Sequence, residues 1–239
     1  MGKALIVTLA VASLGLASIV LAEEARPVGE RQLRRVLRQA FPALPQGWQP
    51  RLAPDATMTT CAKWRNQPPK EVADRIKSTE SARIFRPPDG NYIGDWRRGE
   101  AIAQSGYGLR FTDTDPSRPN GGNCYACHKL SPDEVSYGTI GVSLEGYGRI
   151  HKFDPAYAQI VYDKIYNSQA IVPCSLMPRF GANAILTSEQ IKDLVALLMH
   201  PDSPINREPK QEAVRGAAPA SPAPAAGPPA AGRPAKQPR

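Results

Sequence analysis

The chain has 239 residues, a formal net charge of +8, 25 prolines and four cysteines. Part of that charge lies at the ends: Lys3 sits in an apolar leader, and from Glu208 to Arg239 five cations face two anions. The remainder is only mildly basic, so no nucleic-acid partner is expected, and no Gly-x-Ser-x-Gly elbow or phosphate loop points to hydrolytic chemistry.

The chain opens "MGKALIVTLAVASLGLASIVLAEEARP". One early cation, an uncharged apolar run and small residues at Val20-Leu21-Ala22 give the order of a secretory signal, so residues 1–22 are expected to be removed. An uncleaved anchor is the alternative, since the run is near the lower length limit for a span. After cleavage no stable membrane insertion is expected. The expected compartment is the periplasm, where thiols oxidise readily.

Residues 23–90 are expected to form an N-terminal helical extension. "GERQLRRVLRQAF" places Leu33, Val36 and Leu37 on one helical face, and "PPKEVADRIKSTE" does the same with Val72 and Ile76. Residues 91–205 read as a small, mainly α domain. "DWRRGEAIAQS" predicts a helix with Trp96, Ala101 and Ile102 inward. "DPAYAQIVYDKIYNSQ" predicts one capped by Asp154, with Pro155 in its first turn and Tyr157, Ile160, Val161 and Ile165 at helical spacing. In "LTSEQIKDLVALLMHP" Thr187 and Gln190 form a capping box, and Ile191, Leu194, Val195 and Leu198 make an apolar face ended by Pro201. His200 reads as a cation at that helix's C-terminus. Residues 206–239 are Ala/Pro-rich and cannot bury enough apolar surface to order themselves.

The chemistry centres on "GNCYACH", where Cys124 and Cys127 bracket two residues and His128 follows. Zinc needs a second ligand pair, and Cys61 and Cys174 stand alone without a neighbouring His. A redox dithiol belongs at the head of a helix in a strand–helix–strand unit, which is missing, and a plain disulfide leaves His128 unexplained. One covalent haem c accounts for all three residues: the thiols add to two vinyl groups and the imidazole reaches the iron. For the sixth position Met177, in the Pro-flanked loop "PCSLMPRFG", is the candidate, because a loop methionine in this relative place ligates iron in class I cytochromes c. Met199 reads as packing, Met58 lies in the extension, and His151 is the outside candidate. "GTIGVSLEGYG" is similar to the segment where those cytochromes carry a Pro-x-Leu turn whose carbonyl holds the axial imidazole. Here Val142 takes the Pro position and Leu144 keeps the Leu. Arg149 and Arg179 are candidate haem-propionate partners, with plain surface arginines the competing reading.

The strings "GNCYACH", "GTIGVSLEGYG", "KIYNSQAIVPCSLMPRFG" and "LTSEQIKDLVALL", with "CAKWRNQPPKEVADRI" around Cys61, together resemble the SoxX family. These are the monohaem subunits of the SoxAX complex of thiosulfate oxidation. The resemblance spans roughly residues 91–205 and implies a class I cytochrome c-like helical domain with His/Met-ligated haem, carried here by His128 and Met177. It implies a SoxA-type cytochrome partner, a SoxYZ-type carrier and a soluble cytochrome c acceptor. The chain alone would be non-catalytic, a subunit of an L-cysteine S-thiosulfotransferase. A free-standing electron-shuttle cytochrome is the alternative, and a haem enzyme or sensor with an open iron position is a third. A Cys61–Cys174 disulfide is expected, against a free thiol or a redox-active Cys174.

Overall fold

The computed structural model describes residues 29–43 and 48–208. The predicted leader, and the predicted tail from 209 onward, lie outside these residues. The described residues are mainly helical, and no strand forms among them. They fall into two compact units divided after Arg65.

The first unit holds α1 (Glu30–Ala40), α2 (Gln49–Leu52) and α3 (Ala56–Lys63). On α1, Leu33 and Leu37 are half-buried but Val36 is 50% exposed, so the predicted face is only partly covered. Asp55 caps α3 by accepting from the Met58 amide at 2.8 Å, supplying an acceptor to a donor that a helix start leaves free. Thr57 and Cys61 are the buried residues of α3, while Met58 is exposed.

The second unit contains α4 (Lys70–Ser81), α5 (Trp96–Gln104), α6 (Tyr147–Ile150), α7 (Ala156–Tyr166), α8 (Ser168–Ile171) and α9 (Ser188–Met199). Three-residue 3-10 turns occur at Cys124–Ala126 and Pro204–Asn206. The predicted capping box is formed on α9: Gln190 N donates to Thr187 Oγ1 at 3.2 Å and Thr187 N to Gln190 Oε1 at 3.0 Å. Ile191, Leu194, Val195 and Leu198 are buried as their spacing requires. Lys192, Asp193, Ala196, Leu197 and Met199 are buried too, so α9 is covered on nearly every side and forms the axis of the core.

The main packing is α5 against α9. Their backbones approach closely because Gly99 carries no side chain: a Cβ there would fall 2.1 Å from the Asp193 carbonyl oxygen and 3.0 Å from Leu197 Cβ. Arg98 clamps the crossing, its Nε and Nη2 donating to the two carboxylate oxygens of buried Asp193 at 2.9 and 2.8 Å. The Asp95 amide donates to the same carboxylate at 2.8 Å. These contacts decide the buried face of α5, which is Gly99 and Ala103, not the Ala101 expected from sequence; Ala101 is exposed. Around α9 the core gathers Leu130, Val161, Tyr162, Ile165, Phe180, Leu186 and Ile205, aliphatic members of which contribute about 1.5–3 kcal/mol each when fully buried.

On α7 Asp154 caps the start as expected, its Oδ1 accepting from the Ala156 amide at 2.9 Å, with Pro155 between them in helical dihedrals. Three further expectations are corrected. Ile160 is 50% exposed, because Ala158, Val161, Tyr162 and Ile165 already fill the buried side. α4, assigned by sequence to the extension, packs on α8 within the second unit through buried Ile76 and Glu80. The folded part also runs past 205, since Asn206 is buried with Nδ2 donating to the Leu198 and His200 carbonyls at 3.0 and 2.9 Å.

Candidate functional site

Residues 105–123 lead from the end of α5 to the Cys-x-x-Cys-His segment. Gly122 N donates to Ile102 O at 2.8 Å and Asn123 N to Ser105 O at 2.9 Å, which tie the approach to that helix. Asn123 then takes a left-handed conformation (φ 47°), a geometry asparagine tolerates better than most residues, and turns the chain into the 3-10 turn. Within the turn, Cys127 N and His128 N both donate to the Cys124 carbonyl, at 3.1 and 2.9 Å. Cys124, Cys127 and His128 therefore project from one tight loop of backbone.

A second segment runs beside this turn. Gly138 N donates to Tyr125 O at 2.8 Å, Gly141 N to Cys127 O at 2.8 Å and Leu144 N to Lys129 O at 2.8 Å. An ion pair between Lys129 Nζ and Glu145 at 2.7 Å spans the same two segments. The imidazole of His128 lies over Gly141, where an added Cβ would fall 2.2 Å from Cε1, 2.4 Å from Nδ1 and 2.7 Å from Nε2. His128 Nδ1 stands 2.7 Å from the Val142 carbonyl. A carbonyl can only accept, so Nδ1 carries the proton and Nε2 of the neutral ring keeps its lone pair. This is the arrangement that fixes a metal-ligating imidazole.

Cys124 and Cys127 are free thiols, whereas Cys61 and Cys174 are each disulfide-bonded and buried. Burial pushes the Cys124 thiol up to about 12, with the neighbouring Cys127 adding to it and a backbone hydrogen bond opposing it. Dithiol oxidoreductases need the reverse, a thiol lowered by a helix N-terminus or a cation. Cys124 opens a 3-10 turn and not an α-helix, so no α-helix N-terminus lowers its thiol.

Met177 is partly buried and packs against the core, as do Cys124, Tyr125 and Leu144. Its backbone is fixed from both sides: Met177 N donates to Ser175 Oγ at 3.2 Å, and Ser168 Oγ donates to the Met177 carbonyl at 2.6 Å. Around these groups stand large apolar residues turned to solvent, including Ile140, Val142 and Leu176, each more than 70% exposed.

The remaining candidates sit elsewhere. Arg179 is buried, its Nη1 donating to Glu80 Oε1 at 3.2 Å. Arg149 Nη1 donates to Glu208 Oε1 at 2.7 Å, and its Nη2 to the Arg207 carbonyl at 3.3 Å. Both guanidiniums thus engage acceptors of this chain. The His151 ring is sandwiched between Tyr147 and Tyr157, with centroids 4.4 and 4.0 Å away, and serves packing. His200 is the C-cap residue of α9, and its Nδ1 accepts from the Asp202 amide at 3.1 Å. Sequence reading missed Glu80, the most buried carboxylate here at 1% exposure; it looks like any polar position on an amphipathic helix.

Among the described residues, no group of three or more His, Cys, Asp or Glu side chains is placed to hold a metal ion, and no helix is long and apolar enough to cross a membrane. No family model matches the chain. Over 139 residues it is 45% identical to an uncharacterized lipoprotein of Aquifex aeolicus (strain VF5), a match covering 57% of this chain and 64% of that protein. The chain therefore spans less than two thirds of that relative's length.

Proposed function

We propose that the chain is an exported monohaem c-type cytochrome of class I-like fold, serving as the electron-transfer subunit of a SoxAX-type complex in the periplasm. The observation that supports the haem is the His128–Val142 hydrogen bond over Gly141, which directs the Nδ1 proton to the carbonyl and leaves the Nε2 lone pair available. The donor set fits the group: two unoxidised thiols at vinyl spacing, an imidazole with its tautomer fixed, and a thioether loop. The exposed apolar side chains near these groups in sequence agree with it, since large apolar surface in an otherwise packed unit calls for a cover.

When bound, the haem supplies a one-electron iron couple. Cys124 and Cys127 would hold it covalently, and His128 Nε2 and the Met177 sulfur would be its iron ligands. A methionine ligand favours the reduced iron and raises the potential, which suits a site that receives electrons and passes them on. Val142 keeps the imidazole oriented, and the serine hydroxyls at 168 and 175 keep the Met177 backbone in place. The lipoprotein name of the Aquifex relative agrees with export to the envelope. The Sox assignment rests on the SoxX resemblance of residues 91–205, with a SoxA-type cytochrome, a SoxYZ-type carrier and a soluble cytochrome c acceptor as partners.

The deciding experiment is native purification of the tagged protein from thiosulfate-grown cells, with a haem stain of all that copurifies. A haem-stained band at this chain's mass, a second haem polypeptide in fixed ratio, and thiosulfate-dependent reduction with the carrier present are expected. A lone monohaem protein indifferent to thiosulfate would demote it to a free electron shuttle. An unstained protein would remove the haem altogether.

A further inference from the structure

We propose that Glu80, on α4 and outside the segment that carries the haem motifs, is the positioning residue for Met177. This rests on the reading of Met177 as an iron ligand. Glu80 lies in the last turn of α4 and grips both ends of the loop that contains Met177. At the entry, Asn167 Nδ2 donates to Glu80 Oε2 at 2.8 Å and to the Glu80 carbonyl at 2.9 Å. At the exit, Arg179 Nη1 donates to Glu80 Oε1 at 3.2 Å. Arg83, one turn on, pairs with the same carboxylate at 3.0 Å and reaches the Ala182 carbonyl at 3.3 Å through Nη2.

Asn167 and Arg179 lie on either side of Met177 in sequence, and one buried carboxylate closes the stem between them. Ser168, next to Asn167, is the residue whose hydroxyl holds the Met177 carbonyl. Arg179 follows Met177 by two residues, so a shift of its guanidinium is passed to the sulfur through a short stretch of chain. A buried carboxylate bonded by two arginines and an amide has few alternative arrangements, because any displacement leaves charges unpaired away from water. The loop is therefore presented in one conformation, set by a helix that precedes the Cys-x-x-Cys-His motif.

The test uses the full-length, haem-loaded protein and its Glu80→Gln variant, with imidazole as the probe titrated into the ferric form. Loosening the loop is expected to raise the apparent imidazole affinity by about 10–100-fold, as loss of an outer partner of a metal ligand does. The sulfur-to-iron charge-transfer band should weaken, and Glu80→Asp should restore part of both. Arg98→Ala, which loosens the α5–α9 crossing, serves as a destabilised control and should leave imidazole affinity unchanged. If Glu80→Gln does not fold, Ser168→Ala removes only the hydroxyl on the Met177 carbonyl and should act in the same direction. Wild-type imidazole affinity in Glu80→Gln and Ser168→Ala alike, or an equal rise in Arg98→Ala, overturns the positioning role. A wild-type protein that lacks the sulfur band and takes up carbon monoxide freely overturns the Met177 assignment itself, and the proposal with it.

Discussion

Replacing Gly141 by alanine tests the His128 arrangement at its tightest point. The new Cβ would sit 2.2–2.7 Å from three ring atoms, where ordinary contact needs more than 3 Å, so ring or backbone must move by about an ångström. The backbone resists, because Gly141 N is bonded to Cys127 O at 2.8 Å. The ring must therefore yield, and its hydrogen bond to the Val142 carbonyl goes with it. Overpacking of this kind costs about 1–3 kcal/mol, and a lost hydrogen bond about 1 kcal/mol more, for a total of about 2–4 kcal/mol. Urea unfolding of the purified protein measures this. The NMR signals of the His128 ring should move as well. Gly106→Ala is the control, since its Cβ would meet Asn123 no closer than 3.5 Å and should cost under about 0.5 kcal/mol. Equal stability of the two variants would refute the placement of the ring over Gly141.

Other expectations follow from the helix crossing. Gly99→Ala drives a methyl to 2.1 Å from the Asp193 carbonyl oxygen and should cost about 3 kcal/mol or abolish folding, read by urea unfolding. Arg98→Ala leaves the buried Asp193 carboxylate with the Asp95 amide but without its bidentate partner; Arg98 is itself largely exposed, so a loss of about 1–2 kcal/mol is expected. Asp95 is held below the usual carboxylate range, chiefly by the Arg97 amide that its side chain caps. A depressed carboxylate contributes stability above the ordinary carboxylate pKa and loses it as pH falls through the folded value, so the stability gap between wild type and Asp95→Asn should be open at pH 7 and narrow at acid pH. A gap that stays constant across that range would contradict the cap.

What the sequence made legible was local. The Thr187–Gln190 box, the apolar face of α9 and the existence of α1, α4, α5 and α7 all rest on contacts a few residues apart, and all are present. The helix faces that failed, Ala101 and Ile160, depend on which neighbour arrives from afar: Asp193 dictates the α5 side, and periodicity along α5 carries no trace of Asp193. The same holds for Glu80, whose importance comes from Asn167 and Arg179, 87 and 99 residues on. His128 lies between these cases. Its motif was readable, whereas the Val142 carbonyl as its partner was suggested only by likeness to a family turn, and the need for glycine at 141 became visible once the ring was in place.

The α5–α9 clamp also has a bearing on when the protein can fold. Arg98 and Asp193 are 95 residues apart, and the Cys-x-x-Cys-His turn lies in the stretch between them. Chain synthesis runs from the N-terminus, so α5 emerges long before its partner exists, and a small domain gains little stability before its principal long-range contact closes. The thiols at 124 and 127 are thus made, and available in an open chain, well before α9 can seal the core around them. The order of the helices thereby sets a window in which both thiols are reachable before closure.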